Sequence, residues 1–100
     1  MKLLIIMANN PYSSDFNTMV KLAESSLKRK DKLSIFFMGN GVYCLTHEKI
    51  KELSEKGAKL YYCAHNAEQR KITPPTFAES SSMYGLSKLI ADSEKVIHLV

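Results

Sequence analysis

Leu3-Leu4-Ile5-Ile6-Met7 is an unbroken apolar run, closed by the polar turn residues Asn9-Asn10-Pro11. A short run of this kind, with no polar residue to face water, is the pattern of a strand covered on both faces of a parallel sheet. Outward from it, Ser13, Ser14 or Asp15 can cap a helix reaching about Lys30, in which Phe16, Met19, Val20, Ala23 and Leu27 recur at helical spacing. Lys32 to Met38 reads as a second strand, broken by Gly39-Asn40-Gly41, and Thr46 or His47 opens a helix carrying Ile50 and Leu53 up to Gly57. Lys59 to Cys63 reads as a third strand, and Ala64 to Lys71 as a turn or two of helix interrupted by Thr73-Pro74-Pro75. Ser81 or Ser82 starts a last helix with Leu86, Leu89 and Ile90 inward, and Lys95 to Val100 closes as a fourth strand.

Strands alternating with helices imply an α/β fold, a mainly parallel sheet with right-handed crossovers and helices on both faces. The expected strand order is 2-1-3-4. In such a sheet the winding reverses between the first and third strands, and ligands bind beyond the carboxyl ends there. Ala8 to Ser14, with Asn9 and Asn10, and the segment from Cys63 onward, with His65 and Asn66, should therefore border the site.

The chain has 100 residues, 45% hydrophobic and 24% charged, which suits a single domain over 1–100 and excludes a multi-domain enzyme. A core of this size is marginal without disulfides or metal, so self-association is expected. The net charge of +4 comes from dispersed lysines, with one cluster at Lys28-Arg29-Lys30 and Lys32 that complements a helix C-terminus. Aromatic and basic residues do not interleave, so no nucleic-acid partner is expected. No apolar stretch is long enough to span a membrane, and the opening residues carry no secretory signal, so the expected location is cytoplasmic. Two cysteines in that reducing compartment read as chemical groups more readily than as a staple.

The expected site fails several chemistries. Ala8 to Ser14 contains no glycine, so a pyrophosphate cannot approach the backbone; Ser13 and Ser14 read as helix caps rather than as a flavin phosphate site, and no cofactor is expected. A phosphoacceptor domain needs acidic residues where Asn9, Asn10 and Cys63 stand. A cysteine phosphatase needs arginine six residues past its nucleophile, where Gln69 stands, Arg70 missing by one. Cys44, His47, Cys63 and His65 are ligand types suited to zinc, but the expected order separates their two strands by about 10 Å. No metal is expected, and the same separation argues against a Cys44–Cys63 disulfide.

A nucleophilic or carrier cysteine survives these tests. Cys63, ending the third strand at the start of a short helix, meets unpaired amides that favour a thiolate, and its sulfur is expected to be exposed. His65 and Arg70 could add positive field, although Arg70 lies about 10 Å along a regular helix. The alternative for Cys63 is a small buried hydrophobe, and for Arg70 a dipole or salt-bridge role. Cys44 reads as inert or a secondary thiol, His47 as a helix-start residue and His98 as a tolerated strand residue. Two other function classes remain open: a small-molecule or nucleotide binding module, and a structural subunit of a larger complex, each with an unreactive Cys63.

Phe36-Phe37 followed by Gly41-Val42-Tyr43, and Cys63 with Ala67, Arg70 and Ile72, resemble the DsrE/DsrF-like family, which includes the TusD-type subunits of bacterial sulfur relays. Asn10-Pro11-Tyr12 and the stretch from Tyr84-Gly85-Leu86 to Val100 extend the resemblance nearly end to end. It implies a flavodoxin-like three-layer sandwich, a trimeric or hexameric homo-oligomer, and a cysteine that carries sulfur as a persulfide between partner proteins. The family's carrier cysteine precedes an alanine-rich turn and an Arg-Gly pair, which places the role on Cys63. Small sulfur-carrier proteins would be donor or acceptor. Lys71 stands where the family's glycine is usual, and His65 lies within the turn. Tyr12 and Tyr43 are candidates for lining the mouth of the site or for packing at a subunit contact.

Overall fold

The computed structural model describes residues 1–100. In chain order its elements are β1 (Lys2–Met7), α1 (Ser14–Lys28), β2 (Lys32–Phe37), a 3₁₀ segment (Gly39–Thr46), α2 (Glu48–Glu55), β3 (Lys59–Cys63), α3 (Ala64–Gln69), β4 (Ala78–Ser81), α4 (Met83–Asp92) and β5 (Lys95–Leu99). Five parallel strands form one sheet in the order β4-β3-β2-β1-β5. Helices flank the sheet, as in a flavodoxin-like sandwich.

The sandwich matches the sequence expectation, but the strand order does not. β3 pairs with β2 and not with β1, β5 takes the other side of β1, and the fifth strand, β4, was not foreseen. The reason lies in how right-handed crossovers accumulate. Three successive steps in one direction, β1 to β2 to β3 to β4, place α1, α2 and α3 on one face, and only the return to β5 carries α4 to the other. Phe16, Met19, Ile50, Leu53 and Ala67 accordingly join Leu3, Ile5, Met7, Leu33, Ile35 and Phe37 in a core of 18 buried residues. The opposite face holds a cluster of five, Leu4, Ile6, Phe36, Cys63 and Leu86. The winding reversal therefore falls between β1 and β5, at Ala8 and Leu99, whose backbones bond at 2.9 Å.

β4 is short, carries Glu79 outward and runs Ala-Glu-Ser-Ser, so it has little strand propensity of its own. It forms because Ala78 and Ser80 register with Leu60 and Tyr62 on the neighbouring strand. Within α4, Leu86 is buried and Leu89 half-buried, but Ile90, expected inward, is 43% exposed. One helix cannot cover a five-stranded face, and Ile90 lies on the part of α4 that has nothing to pack against.

Candidate functional site

The loops after β1, β2 and β3 all emerge at the carboxyl end of the sheet, so the expected lining residues do share one end of the molecule. They divide there into separate groups. Arg70 Nε donates to Asn40 Oδ1 at 3.1 Å, its guanidinium also donates to the Asn66 carbonyl at 3.3 Å, and Asn66 Oδ1 accepts from the Gly39 amide at 2.9 Å. Arg70 and Asn66 thus clamp α3 to the 3₁₀ segment. Arg70 is turned to that clamp, and His65 is exposed.

Gly41 and Val42 are buried within the 3₁₀ segment. A Cβ on Gly41 would overlap the Met7 carbonyl, so only glycine lets this segment close over the end of β1. Val42, fully buried, belongs to the main core. A shallow groove of about 550 Å³ is lined by Asn10, Pro11, Tyr12, Tyr43, Thr46 and His47. It brings Asn10, Tyr12 and Tyr43 together, Tyr12 being 97% exposed. Asn10 Oδ1 accepts from the Tyr12 amide at 2.8 Å, and Asn9 Nδ2 donates to Asp15 at 2.6 Å, so these asparagines shape the turn into α1. Thr46 and His47 were not anticipated as lining. His47 is a helix-start residue, its Nδ1 accepting from the Lys49 amide at 3.1 Å while its ring packs on Phe16.

The two cysteines occupy opposite faces of the sheet. Cys44 is fully buried in the main core and its thiol donates to the Asn9 carbonyl at 3.4 Å. Burial pushes that thiol up to about 12, so it stays protonated at neutral pH and is a poor nucleophile. Cys63 is 6% exposed, packed with Leu4, Ile6, Phe36 and Leu86 on the α4 face. Two sequence expectations need correction here. Cys63 lies two strands from the winding reversal, because β3 follows β2, and its sulfur is covered in this chain rather than open to solvent. It is the residue that precedes α3, but its side chain makes no hydrogen bond to the helix amides. Its strand neighbour is Ser81, and a Cβ on Gly85 would overlap the Ser81 hydroxyl, so the first turn of α4 sits tightly on the end of β4 beside Cys63. Leu86 and Ser81 are the neighbours sequence reasoning missed, since β4 was unseen.

β2 and β3 are adjacent, so strand separation does not keep their loops apart, yet Cys44, His47, Cys63 and His65 do not gather into a metal-binding group. No helix is long and apolar enough to cross a membrane.

No protein of curated function matches the sequence. Among solved structures, the chain is similar to the ychN protein from E. coli, with a TM-score of 0.85 at 20% identity over 99% of this chain and 100% of that one. It is also similar to BT1422, a conserved protein of unknown function from Bacteroides thetaiotaomicron, with a TM-score of 0.72 at 16% identity over 98% of this chain and 95% of that one. At these identities the likeness establishes the fold. The model of the DsrE/DsrF-like family matches residues 1–99, nearly the whole chain, and the chain belongs to the DsrE/DsrF-like family.

Proposed function

We propose that this protein is a sulfurtransferase-type carrier that accepts sulfane sulfur as a persulfide on Cys63 and passes it to a small sulfur-carrier protein. The observation that carries the reading is the placement of Cys63 in a chain of this family. It ends β3 on the face that α4 alone covers, whereas Cys44 is locked in the main core. The chemistry asks little of the surroundings: the Cys63 thiolate attacks the outer sulfur of a donor persulfide, forming a new S–S bond and expelling the donor as a thiolate. An acceptor thiolate then attacks the terminal sulfur and releases Cys63. No general acid and no cofactor takes part. Access requires the first turn of α4 to lift Leu86, its one buried side chain, an opening of the kind thinly packed elements undergo.

Intact mass after incubation with a low-molecular-weight persulfide tests this. Wild type should gain one sulfur, Cys44→Ala should gain it equally, and Cys63→Ser should gain none. An unmodified wild type would overturn the reading. It would favour the second one, a structural subunit of a sulfur-relay complex, for which the burial of Cys63 speaks directly.

The carrier is proposed to act in the cytoplasm, where thiols stay reduced, as a trimeric or hexameric homo-oligomer. Exposed Ile90 in the last turn of α4, with Val96 and Val100 at the β5 edge, supports self-association. β5 and β4 are opposite edges, so contacts through this patch leave the Cys63 end of β3 accessible. Light scattering should give a multiple of the chain mass, reduced by the double variant Ile90→Glu/Val96→Glu.

A further inference from the structure

The end of the sheet away from Cys63 carries an unassigned feature. β1, β2 and β3 each begin with a lysine, Lys2, Lys32 and Lys59. Lys2 registers with Lys32, and Lys59 with Ser34, so strand alternation sends all three side chains to the α4 face. There they line one cleft of about 500 Å³, between the sheet and the last turn of α4, with Ser34, Tyr61 and Leu89.

None of the three ammonium groups has an ion-pair partner; the four ion pairs of the molecule use Met1, Arg29, Lys49 and Lys56 instead. Nor does α4 need them to cap its end, because the Leu89 and Ile90 carbonyls are already taken by Ser93. Two carboxylates also line the cleft, Asp31 and Asp92. Asp31 is engaged by Ser26, Arg29 and the amino group of Met1. Within the cleft the three lysines therefore face one unengaged carboxylate, Asp92, while at its rim Glu79 stands beside Tyr61 and Glu94 accepts from the Lys2 amide at 3.0 Å. Each lysine brings a point charge on a flexible stem, which suits a phosphate with several anionic oxygens. The cleft volume falls within the range of small-molecule sites, about 300–1,000 Å³, and its concave form favours a compact ligand over an extended polyanion.

We propose that the cleft at the amino ends of β1, β2 and β3 binds a small phosphorylated molecule, its phosphates among Lys2, Lys32 and Lys59 and its organic part against Tyr61 and Leu89. This site is independent of Cys63 and of the carrier reading.

Titration calorimetry with ADP at low salt tests it. ADP should bind wild type, adenosine should not, and Lys32→Gln/Lys59→Gln should weaken ADP at least tenfold, while Lys28→Gln/Lys30→Gln, outside the cleft, should change it less than twofold. Amide shifts on adding ADP to wild type should centre on Ser34, Tyr61 and Ser93, a readout that stands even where a variant folds poorly. The proposal is overturned by no ADP binding at millimolar concentration, by equal loss in both double variants, or by amide shifts at the carboxyl end. It is also overturned if an RNA oligonucleotide displaces ADP and depends equally on Lys28 and Lys30, which would mark a diffuse polyanion surface.

Discussion

The two faces of the sheet differ in how they are covered, and the two cysteines report the difference. One face lies under α1, α2, α3 and the 3₁₀ segment, with 18 buried residues; the other lies under α4 alone, with five. Cys44, on the first, is fully buried with its thiol held protonated, whereas Cys63, on the second, is separated from solvent by one helix anchored through Leu86. Low exposure thus describes both thiols while meaning different things. What decides whether a buried thiol can react is the cost of moving what covers it, and that cost follows the number of apolar groups uncovered.

Truncations should expose this asymmetry most strongly. Phe37→Ala, in the main core, should cost about 3–5 kcal/mol in chemical denaturation, whereas Leu86→Ala should fall near the lower end of the range for leucine truncation, about 2 kcal/mol. Leu86→Ala should also speed alkylation of Cys63 without speeding that of Cys44. Equal costs for the two would remove the contrast between faces.

Alkaline stability sharpens the contrast next. The Cys44 thiol has a folded value of about 12 against an ordinary 9.0, so below pH 9 both folded and unfolded states keep the proton and the group is neutral in the balance. As pH rises from 9 towards 12 the unfolded chain releases that proton and the folded one does not, so stability should fall by up to about 1.4 kcal/mol per pH unit. The Cys44→Ala variant should show a shallower decline in that window, read from denaturation midpoints.

The two close-approach glycines give a smaller comparison. Gly41→Ala sets a Cβ against the Met7 backbone, which cannot swing away, and should cost about 2–3 kcal/mol. Gly85→Ala meets the Ser81 hydroxyl, a side chain that can rotate, and should cost clearly less; adding Ser81→Ala should recover most of its loss. The smallest effect is expected at Lys71, whose φ of 54° is left-handed. A glycine is usual at this place in the family's pattern, and Lys71→Gly should be stabilising by up to about 1 kcal/mol, seen as a small rise in Tm.

The sequence made the elements legible wherever periodicity was strong. The β1 run, the α1 stripe from Phe16 to Leu27 and the breaks at Gly39 and Gly57 all fall where the residues place them. The strand order was misread although a signal existed. Order 2-1-3-4 puts the second strand at an edge, but Ile35-Phe36-Phe37 is as apolar as β1 and suits an interior position, while Lys95 to Leu99 carries Lys95 and His98 among its apolar residues, as an edge strand can. β4 left almost no trace, because Ala-Glu-Ser-Ser becomes a strand only through pairing with β3. The site suffered in proportion. The loops after β1, β2 and β3 could be placed at the carboxyl end from the strand pattern, but without β4 the position of α4 over Cys63 was invisible, and Arg70 gave no sign that it would turn to Asn40.

Thiol alkylation of the native protein, resolved residue by residue by mass spectrometry, tests the unequal covering of the two faces most directly. Cys63 should label at a rate set by local opening of α4, in conditions where Cys44 remains unlabelled until the whole chain unfolds. Labelling of both cysteines at one common rate, or of Cys44 first, would contradict the account.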